Sequence, residues 1–96
     1  MASNFQIVVF REGDNVHLKL VGDFDGSSAC ELVETVKDHS VGGHRVLICT
    51  NSVKRVYPFG VHVFEQKLGE LKCSPFRLFF TGAHAKRLAP KKTLCL

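Results

Sequence analysis

Two alternating runs either side of a short turn constrain this chain more than anything else in it. Asn4–Phe10 (NFQIVVF) and Val16–Gly22 (VHLKLVG) are rich in β-branched residues and change face at every position, the pattern of half-buried strands. Between them, Gly13-Asp14-Asn15 supplies residues that tolerate left-handed backbone. The two runs read as a β-hairpin with Val16, Leu18 and Leu20 on one face and His17 and Lys19 on the other. A hairpin alone is marginal in water, so the rest of the chain must cover its apolar face.

The following segments supply that cover. In DFDGSSACELVETVKDHSVGG, Ala29, Leu32, Val33 and Val36 follow the i, i+3, i+4, i+7 spacing of one buried helix face. Ser28 with Glu31 three residues on fits a capping box, and Gly42-Gly43 closes the segment. HRVLICT is a continuous apolar run suited to a central strand. Pro58 then suits the first turn of a second helix, with Val61, Phe64, Leu68 and Leu71 inward and His62, Glu65, Gln66, Lys67 and Glu70 toward water. FRLFF is a further strand, and GAHAKRLA a short helix stopped by Pro90. TLCL reads as either a last edge strand or a frayed end. The order β-β-α-β-α-β-α predicts a two-layer α/β domain, a mixed sheet of four or five strands with its helices mainly on one face. One domain takes up residues 1–96, with its core over 4–90.

Composition narrows the function. Hydrophobic residues make up 45% of the 96, enough for a core and too many for a disordered chain. No apolar run approaches the ~18 residues of a membrane span, and the first residues lack the pattern of a signal peptide, so a cytosolic protein is expected. Cys30, Cys49, Cys73 and Cys95 are far apart with no Cys-x-x-Cys pair, which favours free, mostly buried thiols over two disulfides. The five histidines, at 17, 39, 44, 62 and 84, are equally scattered. His62 and Glu65 alone do not make a metal site. The net charge is +4, with Lys86, Arg87, Lys91 and Lys92 late in the chain. With no aromatic interleaving and no nucleic-acid-binding signature beside them, these read as a solvated basic end.

Catalytic patterns are sparse. Asp23 and Asp25 follow a strand beside Ser27 and Ser28. On a continued strand the two carboxylates would share a face, as an acid pair or Mg²⁺ site does. Asp25 and Ser28 serve equally as helix caps, and capping is the favoured reading. There is no glycine-rich phosphate loop, and no cofactor is expected.

Three segments together resemble a STAS domain, the module of bacterial anti-sigma factor antagonists and of the cytosolic part of sulfate transporters. LKLVGDFDGSSACEL is similar to that family's strand, Gly-x-Leu-Asp turn and helix start, with Gly22, Asp25 and Ala29 keeping the pattern and Phe24 in the leucine place. VLICTNSVKRVYPFGVHVFEQKL resembles the second motif, a strand, a turn at Asn51-Ser52-Val53, then Ile-Asp-Ser-Ser-Gly-Leu opening a helix. Val56 takes the isoleucine place there and Gly60 the glycine. LFFTGAHAKRLAP is similar to the last strand, turn and third helix. In the antagonists, the first serine of Asp-Ser-Ser-Gly is phosphorylated by a partner anti-sigma kinase. Here Tyr57, Pro58 and Phe59 stand at the Asp-Ser-Ser places, and Cys49 replaces an acidic residue of the preceding strand. The resemblance thus implies a scaffold that has lost its phosphoserine.

Three functions follow. One is a regulatory protein-binding module, partner of an anti-sigma factor kinase, a transporter or another regulator. The second is a structural subunit that forms homodimers through the same surface. The third is a small enzyme or ligand binder built around Asp23, Asp25 and Ser27. Aromatics at an exposed helix entrance favour the first two, and the resemblance points to the first, with the contact surface formed by Asp23, Asp25, Ser27, Asn51, Ser52, Tyr57, Pro58, Phe59, Gly60, His62 and Val63. Phe59 would anchor the partner or, alternatively, staple the helix start from within the core. Thr50 and Ser52, just upstream, are the candidates for a relocated phosphosite.

Overall fold

The computed structural model describes residues 4–39, 45–70, 78–88 and 94–95. The hairpin forms where the alternation puts it. β1 (Gln6–Glu12) and β2 (Asn15–Phe24) pair antiparallel, Ile7 opposite Leu20 and Val9 opposite Leu18. Gly13 takes the left-handed turn position at φ 61. There follow α1 (Gly26–His39), β3 (Arg45–Val56), α2 (Pro58–Glu70), β4 (Leu78–Thr81), α3 (Ala85–Leu88) and β5 (Leu94–Cys95). The five strands form one sheet in the order β1-β2-β3-β4-β5, with every pair after the hairpin parallel. The mixed two-layer sheet expected from the sequence is therefore present, and the last segment is an edge strand beside β4.

The helices cover one face. Val16, Leu18, Leu20 and Phe24 of β2, Val46 and Ile48 of β3, and Leu78 and Phe80 of β4 are buried with Ala29, Leu32, Val33 and Val36 of α1, Phe64 of α2, and Ala85 and Leu88 of α3. Four phenylalanines run edge to face through this layer. Phe5 meets Phe24 at 6.1 Å, Phe24 meets Phe64 at 6.1 Å, and Phe64 meets Phe80 at 6.0 Å. Pairs of this geometry contribute ~0.5–1.5 kcal/mol each beyond the apolar area they bury. Phe64 is thus the point where α2 is tied to both β2 and β4. The opposite face carries a row set by register, Phe10, His17, Leu47 and Phe79, on four neighbouring strands. Phe10 stacks on His17 at 4.6 Å with their planes 3° apart.

Three local expectations are corrected. The first helix is capped by Asp25, not by Ser28 with Glu31. The Asp25 carbonyl accepts from Ala29 N–H at 2.9 Å, and its Oδ1 accepts from Ser28 N–H at 2.9 Å. Asn51-Ser52-Val53 is not a turn, because β3 runs through it as strand. Two register shifts against β2, between Lys19 and Val21 and between Gly22 and Asp23, absorb the extra residues as bulges. Free Cys30 is exposed and free Cys49 half-buried, against the expectation of mostly buried thiols. The readings placed on Gly42-Gly43, His44, Leu71, Cys73, Phe76-Arg77, Pro90 and Lys91-Lys92 lie outside the described residues.

Candidate functional site

The β2–α1 turn and the start of α2 meet because Gly60 lets their backbones touch. Gly60, buried in the first turn of α2, lies so near the N-cap of α1 that an added Cβ would stand 2.7–2.9 Å from the Asp25 backbone. Tyr57 N–H donates to the Phe24 carbonyl at 2.9 Å, tying the residue before α2 to the end of β2. Pro58 occupies the first helical position, where its missing N–H costs nothing. Val61 N–H then closes the first turn on the Tyr57 carbonyl at 3.2 Å.

This contact fixes the aromatics. Phe59 is 69% exposed and Tyr57 41% exposed, so neither is core. The staple reading of Phe59 is thereby set aside. Its ring lies against the α1 start, with an added Cβ on Gly26 falling 2.9 Å from Cε2. Val63, half-buried, flanks the same glycine. His62 is exposed on the following turn. On the other side, Val56, Pro58, Val61 and Arg87 of α3 line a groove of about 460 Å³.

Both acidic residues of the turn are hydrogen-bonded, Asp25 to the backbone of α1 and Asp23 to the Asn4 side chain. Asp25 Oδ1 takes the Ser28 N–H and lies 3.0 Å from the Ser28 hydroxyl, which is also 2.8 Å from the Asp23 carbonyl. The Ser28 N–H holds the Asp25 carboxyl below the ordinary carboxylate value. Partial burial opposes this shift, and the Ser28 hydroxyl and the Ser27 N–H add to it. Asp23 Oδ2 accepts from Asn4 Nδ2 at 3.4 Å, and Asp23 N–H donates to Asn4 Oδ1 at 3.4 Å. Ser27, two residues past Asp25, is exposed. Gly22, at φ 102, lets the chain before β1 pass so close that a side chain would meet the Asn4 carbonyl. Among the described residues no three His, Cys, Asp or Glu side chains gather as a metal site would need.

The structure thus brings together Asp23, Asp25, Ser27, Tyr57, Pro58, Phe59, Gly60, His62 and Val63. Asn51 and Ser52 lie further back along β3. Asn51 accepts from Ala83 N–H at 2.9 Å through Oδ1, which commits its side chain to the β4–α3 turn. Ser52 is half-buried opposite Val21. Thr50 does not fit the phosphosite expectation, since it is fully buried. Its hydroxyl donates to the Thr81 carbonyl at 2.7 Å and accepts from His84 N–H at 3.1 Å. Sequence reading missed Gly26 and Asn4. The Asp-Gly-Ser string marked Gly26 as a turn residue but gave no sign of the ring seated on it, and nothing local marked Asn4, whose partner is 19 residues away.

No known family description matches the chain, and no curated protein matches it in sequence. Solved structures do. Mglu is similar at a TM-score of 0.63 and 23% identity over 91% of this chain, which spans 20% of the Mglu chain. The anti-sigma factor antagonist SpoIIAA in its unphosphorylated form is similar at a TM-score of 0.62 and 12% identity, over 96% of this chain and 86% of that one. A DUF3478 protein from Shewanella loihica PV-4 with a SpoIIAA-like fold is similar at a TM-score of 0.59 and 17% identity, over 100% and 90%. Among the described residues no helix is long and apolar enough to cross a membrane. With the strand order and one-sided helices above, these likenesses show that the chain has a SpoIIAA-like, STAS-type fold.

Proposed function

We propose that the chain is a cytosolic, non-enzymatic regulatory module that binds a protein partner at the α2 start, as an anti-sigma factor antagonist does, without the phosphoserine switch. The observation that carries this reading is Phe59, 69% exposed and seated on Gly26 beside half-exposed Tyr57. A large ring held rigid in solvent loses little entropy on docking, and such anchors dominate binding energy. Asp23 steers a basic side chain of the partner toward the same edge. Pro58 leaves the first helical position without a hydroxyl, so a serine kinase docked here finds no acceptor at the family's position. A partner of the anti-sigma kinase type is then held without release by phosphate, which makes the complex constitutive.

The test is a capture of partners from native lysate with mass-spectrometric identification, followed by titration of the best one. Phe59→Ala weakens binding at least tenfold, the loss of ~2 kcal/mol or more typical of an aromatic anchor, and leaves the melting temperature unchanged. Glu34→Ala, exposed on α1, leaves both unchanged. A sharp fall in melting temperature with binding intact would instead place the interface elsewhere. Incubation with ATP and the captured kinase leaves no serine label at the α2 start, and label on Ser52 would show that the switch has moved along β3.

A further inference from the structure

The β1 edge of the sheet is long and unbroken. Among the described residues β1 pairs only with β2, and it runs for seven residues in unbroken register. β1 has no proline and no bulge, and its residues 6–10 carry no charge. Short edges, charge, proline and bulges are how sheets avoid pairing with further strands, and the body of β1 uses none of these. Val8 is 47%, Val9 39% and Phe10 52% exposed, three of the five large exposed apolar side chains among the described residues.

We propose that β1 is a self-association edge, on which two copies of the chain pair antiparallel about a two-fold axis at Val9. Opposite residues on antiparallel strands share a face, so only even register sums keep the helices of both copies on one side. Centred on Val9, the middle of Gln6–Glu12, the pairing sets Val9 opposite itself, Val8 opposite Phe10, Ile7 opposite Arg11 and Gln6 opposite Glu12. The whole strand is used. On the open face, Val8 and Phe10 of both copies form one apolar cluster that extends the Phe10–His17 stack. Sliding one step toward Phe10 sets Glu12 opposite Val8, and one step toward Val8 sets Phe10 opposite Gln6. Both break that cluster.

Charge on the helix face picks a second copy as the occupant. A groove of about 410 Å³ runs along this edge between β1 and α1, with Ile7 and Val9 on one wall and Glu31 and Thr35 on the other. Arg11 is on the same face, where its Nη2 makes a long 3.5 Å hydrogen bond to His39 Nδ1 of α1. The two-fold axis brings the second copy's Arg11 opposite Ile7, into the groove beside Glu31, and the symmetry repeats the ion pair on the other side. Each chain thus carries both halves of the complementary pair, as a self-complementary interface requires.

Light scattering on a sizing column across a concentration series, with sedimentation equilibrium for the constant, tests this on the whole chain. Wild type moves from 10.7 kDa toward twice that mass. Val8→Lys, which sets a charge opposite Phe10 in both copies, weakens the dimer at least tenfold. Arg11→Glu and Glu31→Arg each weaken it about tenfold through two repulsive contacts, and the double variant restores it, which a mere folding defect does not allow. Phe59→Ala leaves the dimer untouched, so this proposal and the partner-binding reading fail separately. A 10.7 kDa species at every concentration overturns the proposal. So does a dimer indifferent to Val8→Lys, or a charge swap that fails to rescue. A monomer that instead binds unrelated extended peptides along β1 likewise overturns it in favour of strand addition by another protein.

Discussion

Asp25 shows how much one side chain settles here. Its carboxylate caps α1 through Ser28, and its backbone is the surface on which Gly60 seats α2. Because the cap lowers its pKa from the ordinary 3.8, the folded state holds the proton less tightly than the unfolded chain. The stability from this group is therefore fully present above the unfolded value and is lost as pH falls through the folded one. Asp25→Ala is expected to cost ~1 kcal/mol at neutral pH, read as a shift in urea midpoint that narrows toward wild type in acid. Asp25→Asn keeps the cap and removes that pH dependence. At this scale the sequence was half legible. Asp25 and Ser28 were both visible as capping residues, but their offset was not, since either start satisfies the apolar spacing of α1. Thr50 was illegible. A buried threonine on a strand looks like an exposed one until the end of β4 supplies Thr81 and the turn after it supplies His84 as its partners.

At the scale of elements, α2 depends on both of its ends of contact, the glycine seat and the aromatic ladder. Phe64→Ala removes the ring that joins Phe24 to Phe80 from a fully buried site. The expected loss is ~3–5 kcal/mol, seen as a lower denaturant midpoint, with α2 and β4 losing hydrogen-exchange protection first. The sequence placed α2 correctly because Pro58 marks its start and the apolar spacing sets its face. It misplaced the end of the preceding strand for a physical reason. Asn51 and Ser52 are turn residues by preference, yet bulging against β2 lets β3 continue, and the Asn51 side chain finds its partner at Ala83 in the β4–α3 turn, past the neighbouring strand. Local preference yielded to tertiary hydrogen bonding. The candidate edge was legible as far as the α2 start and the Asp23–Ser28 turn, and it lost Asn51 and Thr50 to that same network.

At the scale of the whole molecule, one layer of helices closes on one face of one sheet, and a single buried cluster joins every helix to β2, β3 and β4. Such a core leaves no separable unit, so unfolding is expected as a single transition. Far-ultraviolet circular dichroism, which reports all elements, and fluorescence of Tyr57, the lone tyrosine, which reports the α2 start, are expected to give coincident midpoints. The order of strands in space is also their order along the chain, and this bears on how the protein is made. As the polypeptide leaves the ribosome, the hairpin forms first and each later strand adds to the growing side of the sheet. No strand has to wait for a later one to be inserted beside it. Within this domain the β1 edge is finished before the rest of the sheet is made, so nascent chains on neighbouring ribosomes present the same strand to one another before either domain is complete.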